Sequence, residues 1–256
     1  MRFRKNPADI LKEVGIYHPK DIDLELIAFH LNAEVRYSPL SNYEGQIIGT
    51  DIQAIITLDS QSHPLRQKFS LGHELGHWIN DRGKNLTYRC TTEDMRRRWS
   101  KDRNSARQQV EARANAFSAQ LMMPDHILPE YRNGLDVTVN SISKLANVFK
   151  VSKTSMAIRF VETNELPCML ICWSKSGVRK WFTRNPIVPE NIWPHKSLLN
   201  PSTALSDSNG VEVDADKWVA GECSENYSVI ESVFDNSYDL FSLVWWKDES
   251  QLSLYS

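Results

Sequence analysis

The sequence predicts an α+β protein in two parts: helices around a small twisted sheet over residues 1–163, then a smaller β-rich domain over 164–256. Three observations lead there. Helical and strand-like periods alternate as far as residue 163, the composition turns at about 164 towards alternating apolar residues and Trp, and 256 residues exceed what one small core needs. Apolar residues at 41% and charged residues at 24% are ordinary for a folded chain and exclude disorder of the whole.

Taken in order, residues 7–33 read as two short helices. The second carries Leu24, Ile27, Ala28 and Leu31 on one stripe behind an Asp21 or Asp23 cap, with Asn32 closing it. Three β-rich pieces follow, EVRYSPL, GQIIGT and QAIITLD, parted by polar turns, and they predict a small sheet over 34–59. Pro64 opens a helix that runs to about Asn80, with Phe69, Leu71, Leu75 and Ile79 among its apolar residues. Residues 81–103 show no clear period and read as a long mobile connection holding at most a short helix. From about 104, Val110, Ala114, Phe117 and Leu121 recur at helical spacing until Pro124 stops the run. Two helices near 139–149 and 153–163 have the cadence of a helix-turn-helix, turning at residues 150–152. Beyond 164, CMLICW, VRKWFT, YSVIESVF and LFSLVWWK read as strands, and six of the eight tryptophans lie there as candidate core.

A net charge of -2 offers no global field for nucleic acid or an anionic membrane, so any such contact must be local. The basic start MRFRKNPADILKEVG leads into no apolar run, and PCMLICW and FSLVWW are far shorter than a bilayer span, which points to a cytoplasmic protein. Cysteines 90, 168, 172 and 223 have neither zinc-ribbon spacing nor the density of a disulfide scaffold. They read as reduced structural thiols, Cys168 and Cys172 on one side of a core strand.

Chemistry concentrates in His73-Glu74-Leu75-Gly76-His77. Histidines at i and i+4 project from one helical face, so both imidazoles reach one metal ion while Glu74 sits beside the open position. A hydrolytic zinc site needs a third protein ligand, and WINDRGK after the motif holds no histidine at a ligand spacing. Glu111 is the best candidate, because it lies at the edge of the apolar stripe of the later helix, where an unpaired carboxylate is costly. Asn115, one turn on, points the same way and can orient a ligand histidine from behind. On spacing alone an ordinary exposed Glu and Asn remain the alternative. Tyr88, His126 and Arg113 are candidates for a donor to the oxyanion of the reaction, and the sequence does not choose among them.

KFSLGHELGHWI followed by VEARANAFSAQLMMP resembles the ImmA/IrrE family of zinc metallopeptidases. DLELIAFHLNAEVRYSPL, TDIQAIITLDS and SKLANVFKVSKTSMAIRF extend the likeness over roughly 1–163. The resemblance implies a zincin-like metallopeptidase domain including the helix-turn-helix-like pair of 139–163. It implies His73, His77 and Glu111 as ligands of zinc, or of manganese, and Glu74 as the catalytic carboxylate that takes a proton from water and returns it to the leaving amine. The substrate it implies is a specific protein, most often a helix-turn-helix repressor in a stress, mobile-element or phage-linked programme.

Two departures stand out. RCTTEDMRRRWSKDRNSARQQ inserts basic charge between the motif helices, and the region after 164 has no role to import. The run 95–103, five cations with Trp99, suits an acidic partner or a solvated loop. The rival function is a non-catalytic metal-containing module, a toxin-antitoxin partner or sensor that binds a repressor without cutting it; an intact Glu74 argues against it. A DNA-binding regulator built on 139–163 is the third reading, weakened because the second helix offers only Lys153 and Arg159.

Overall fold

A computed structural model describes residues 5–83, 86–96, 106–197, 208–220, 227–250 and 252, with the side chains of 95, 96 and 220 excepted. Packing divides the chain into two compact units, residues 1–131 with 148–151, and residues 132–147 with 152–256. The composition boundary at 163/164 differs from this division, because the helical pair packs largely with the C-terminal strands. No helix among the described residues is long and apolar enough to cross a membrane.

In the first unit, α1 (Pro7–Glu13) starts on Asn6, whose side chain accepts from the Ala8 amide, with Pro7 at the first helical position. A 3-10 turn at Pro19–Asp21 leads to α2 (Leu24–His30), capped by Asp23. Leu24, Ile27, Ala28 and Leu31 are all buried, and Asn32 leaves the helix at a φ of 58°. Strands β1 (Ala33–Ser38), β2 (Gly45–Gly49) and β3 (Ala54–Asp59) follow, as the alternation predicts. Helix α3 (Pro64–Asp81) is capped by His63 and is buried nearly all round from Ser70 to Ile79.

The connection after α3 holds the short helix allowed for, α4 (Thr92–Arg96), but differs from the expectation in also forming a strand, β4 (Leu86–Cys90). β4 alternates Leu86 in, Thr87 out, Cys90 in, but five residues between charged runs give a period too short to stand out. The sheet order is β1-β3-β2-β4, with β1 and β3 parallel and the other pairs antiparallel. Helix α5 (Ala106–Met122) packs along α3, and α6 (Leu128–Arg132) follows. Of the basic run 95–103, residues 97–103 and the side chains of 95 and 96 lie outside the described residues, as does Cys223.

In the second unit, α7 (Val139–Phe149) leads into α8 (Lys153–Thr163), which Ser152 caps. Strands β5 (Cys168–Trp173), β6 (Arg179–Arg184), β7 (Trp193–Pro194), β8 (Val211–Asp214), β9 (Val219–Ala220), β10 (Ser228–Asp235) and β11 (Leu240–Trp245) make an antiparallel five-stranded sheet ordered β6-β5-β11-β10-β8 and a two-stranded ribbon of β7 and β9. Its core gathers Met169, Ile171, Trp173, Trp218, Val244 and Trp246. Cys168 and Cys172 are buried free thiols. Arg159, one of the two cations of α8, is buried, so it presents no charge to a phosphate backbone.

Candidate metal centre

Helix α3 places His73 and His77 one turn apart with their ring centroids 4.7 Å from each other. Their Nε2 atoms face each other at 3.0 Å. Glu111 reaches them from α5, its Oε2 lying 3.1 Å from His73 Nε2 and 3.4 Å from His77 Nε2. This approach requires that α3 carry no side chain at the crossing. A Cβ at Gly76 would stand 2.9 Å from Ala114 Cα, nearer than real Cβ contacts come, and at Gly72 the space is taken by Ser118, whose hydroxyl donates to the Phe69 carbonyl. The glycines of the motif thus set how close the carboxylate of α5 comes to the imidazoles. Glu111 is 3% exposed, inside the helix pair and not at the edge of its apolar stripe as the spacing suggests.

Behind the rings, Asn115 Oδ1 lies 2.8 Å from His73 Nδ1, and the Asn115 amide donates to the Asp94 carbonyl at 3.2 Å. The second bond assigns the amide orientation, so Oδ1 accepts from Nδ1–H and leaves the Nε2 lone pair facing the cluster. His77 Nδ1 has an equivalent neighbour in Asp81 Oδ2 at 3.4 Å, and Arg113 holds the other oxygen of Asp81 at 2.5 Å. Sequence reasoning did not single out Asp81, although it lies four residues beyond His77 on the same helix. Arg113, a candidate oxyanion donor, is thereby committed to Asp81. Tyr88 stacks flat on the His77 ring, centroids 4.4 Å apart. His126 is exposed, with Lys12 and Asp125 as its charged neighbours.

Glu74 is fully buried, and its carboxylate lies against β2, where a Cβ at Gly45 would stand 2.8 Å from Oε1. Burial raises its pKa, against the pull of the two imidazoles. Cys90 completes the set, its Sγ 3.6 Å from His77 Nε2. Burial and the carboxylates of Glu74 and Glu111 push this thiol well above its ordinary value. Burial also opposes charge on Glu111, yet hydrogen bonding to the two rings outweighs it and lowers the carboxyl to about 2. At His77 burial opposes the imidazolium, and Asp81 and Glu111 outweigh it to give about 9. A divalent ion would compete with the proton for these atoms.

The donor set fits a divalent ion. Ligand atoms of His73, His77, Cys90 and Glu111 all lie within 4.8 Å of one another. Glu74 and Glu111 are both buried, Glu111 with the two imidazoles and Glu74 with the Cys90 thiol as hydrogen-bonding neighbours. Two carboxylates buried near each other are costly unless a cation answers them. A tetrahedral ion with nitrogen and oxygen ligands at about 2.0–2.1 Å needs those atoms about 3.3 Å apart. The observed spacings of 3.0, 3.1 and 3.4 Å are close to that edge. All four donors are buried.

The Peptidase_M78 family model, described as the IrrE N-terminal-like domain, matches residues 28–161, just over half of the chain. Among solved structures, a Mycobacterium tuberculosis transcriptional regulator shares the fold at a TM-score of 0.55 with 13% identity, over 96% of this chain and 76% of its own. A search of the curated proteins finds no match. The matched segment runs from α2 through α8 and contains the whole cluster of His73, Glu74, His77, Cys90 and Glu111, and with that coverage the chain belongs to the IrrE N-terminal-like family of peptidases.

Proposed function

We propose that the chain is a zinc-dependent endopeptidase that cuts a specific protein, a helix-turn-helix-type transcriptional repressor of a stress, mobile-element or phage-linked response. The observation that carries the reading is Glu74, a fully buried carboxylate set beside three converging donors. His73, His77 and Glu111 would hold the ion, and manganese suits the same nitrogen and oxygen donors. The ion, when bound, supplies a Lewis acid that polarises a carbonyl and acidifies water. Asn115 and Asp81 keep the two Nε2 lone pairs aimed inward. Glu74, its pKa raised by burial, takes the proton of the attacking water and returns it to the leaving amine. The narrow substrate range and a cytoplasmic site of action belong to the same reading and rest on the family resemblance.

A second reading is favoured by Cys90, because a fourth protein donor gives the closed coordination typical of structural zinc. On that view the chain binds its repressor without cutting it. Metal analysis and a cleavage assay on a candidate helix-turn-helix repressor separate the two. For Glu74→Gln the expectation is full metal content with cleavage reduced about 10²–10⁴-fold, the span of a general base. Equal handling of the repressor by wild type and variant, bound and uncut, would sink the enzyme reading.

A further inference from the structure

We propose that Cys90 is a fourth ligand of the ion held by His73, His77 and Glu111, so that the loaded protein rests with its reactive position closed by a thiolate that substrate must displace. The ligation rests on the metal-binding half of the reading above, and displacement by substrate rests on its hydrolytic half.

One edge of the site already has the length that ligation needs, and all four donor atoms lie within 4.8 Å of one another. For a tetrahedral ion with nitrogen at about 2.0–2.1 Å and sulfur at about 2.3 Å, the nitrogen-to-sulfur edge is about 3.6 Å. Cys90 Sγ lies 3.6 Å from His77 Nε2. The side chain is fully buried, and the ligand atoms around it are two imidazole nitrogens and a carboxylate oxygen. A cysteine that merely fills a core sits among apolar groups.

Backbone structure fixes the thiol there. Cys90 pairs with Gly45 across the β2 and β4 ladder, and the Glu44 amide donates to the Cys90 carbonyl at 2.9 Å. Gly45 is also the residue whose missing Cβ makes room for the Glu74 carboxylate. Cys90 therefore meets the cluster on the side that Glu74 faces, where a water awaiting deprotonation would have to stand. One residue later the chain is pinned again, because the Thr91 amide and hydroxyl both donate to Asp94, whose carbonyl accepts from Asn115. The segment that carries the thiol is thus tied to the residue that orients His73.

The ligation balances without an oxidant. On loading, the S–H bond breaks, the sulfur lone pair goes to the ion and the proton passes to solvent. Opening is the reverse exchange, with a substrate carbonyl or water replacing sulfur. A thiol so placed makes the site responsive to any agent that draws sulfur away.

The test loads the full chain with Co²⁺ in place of zinc and records its near-ultraviolet and visible spectrum. A thiolate-to-cobalt charge-transfer band in the wild type, retained in Glu74→Gln and lost in both Cys90→Ser and Cys90→Ala, supports the proposal. Competition with a chromophoric chelator should show metal affinity at least about tenfold weaker in both cysteine variants, with circular dichroism confirming that they fold. One cobalt per chain without that band, or a band that survives loss of Cys90, overturns it while leaving the three-donor site intact. A chain that takes up no cobalt overturns this proposal and the metal reading together.

Discussion

Among the buried polar side chains of the α3–α5 pair, His73, Glu74, His77, Glu111 and Asn115 are at most 3% exposed and lie beside buried Leu, Ala, Phe and Trp. Such burial is rare without partners, and each partner here has a distinct task. Asn115 is the clearest case, because Oδ1 fixes the His73 tautomer while its amide holds Asp94. Asn115→Ala should therefore lower metal affinity about 10–100-fold, the usual effect of losing an orienting hydrogen bond. Chelator competition would measure it, and unchanged affinity would show that helix packing alone orients the ring. At this scale His73, Glu74 and His77 were legible from their spacing on one helix, whereas Glu111 was singled out by its place beside an apolar stripe and by the family resemblance. Asp81 was equally legible at i+4 from His77 and went unread. Cys90 was not, since its approach depends on strand pairing with Gly45, a contact that no local period encodes.

Elements reach the centre through close approach, and glycine governs it. Gly76→Ala would gain about 1 kcal/mol of helix propensity and lose about 1–3 kcal/mol by driving α5 off α3. Because the obstructing atoms are the Ala114 backbone and not a flexible side chain, the loss should win. A urea midpoint equal to or above wild type would refute this. Lys68, on the first half of α3, donates to the Phe149 and Lys150 carbonyls at the end of α7. Burial, aided by the neighbouring Lys150, lowers its pKa to about 8 from 10.5. A depressed lysine means that between those values the unfolded chain holds a proton which the folded chain has released. Its contribution to stability is thus complete above the unfolded value and lost as pH falls through about 8. Urea melts at pH 7 and pH 9.5 should show wild type gaining on Lys68→Met at the higher pH, and parallel behaviour would argue that the ammonium is freely solvated. Helices and the first three strands were readable from period and capping residues. Strand β4 was missed because Thr87 and Arg89 face outward on an edge strand, leaving few apolar residues to mark it.

Over the whole molecule, composition marks the change to strands near 164, whereas packing assigns most of the helical pair to the same unit as those strands. Composition reports what a segment is made of, and a unit is defined by what it buries against. The Val139 amide donates to Ser232 in β10, and the Asn185 amide donates to the Val161 carbonyl at the end of α8, so the pair's polar groups are answered from the sheet. Every donor of the metal cluster, by contrast, lies in the unit of residues 1–131. A ligand that binds only the folded state stabilises by mass action, about 2.7 kcal/mol at one hundred times its dissociation constant. That energy belongs to the elements whose opening would break the site. Adding zinc should therefore slow amide hydrogen exchange in α3 and α5, and in β4 if sulfur is a ligand, while β5, β10 and β11 keep their metal-free rates. Protection spread evenly over both sheets would mean that the two units open as one, and protection nowhere would mean that zinc does not bind at these residues.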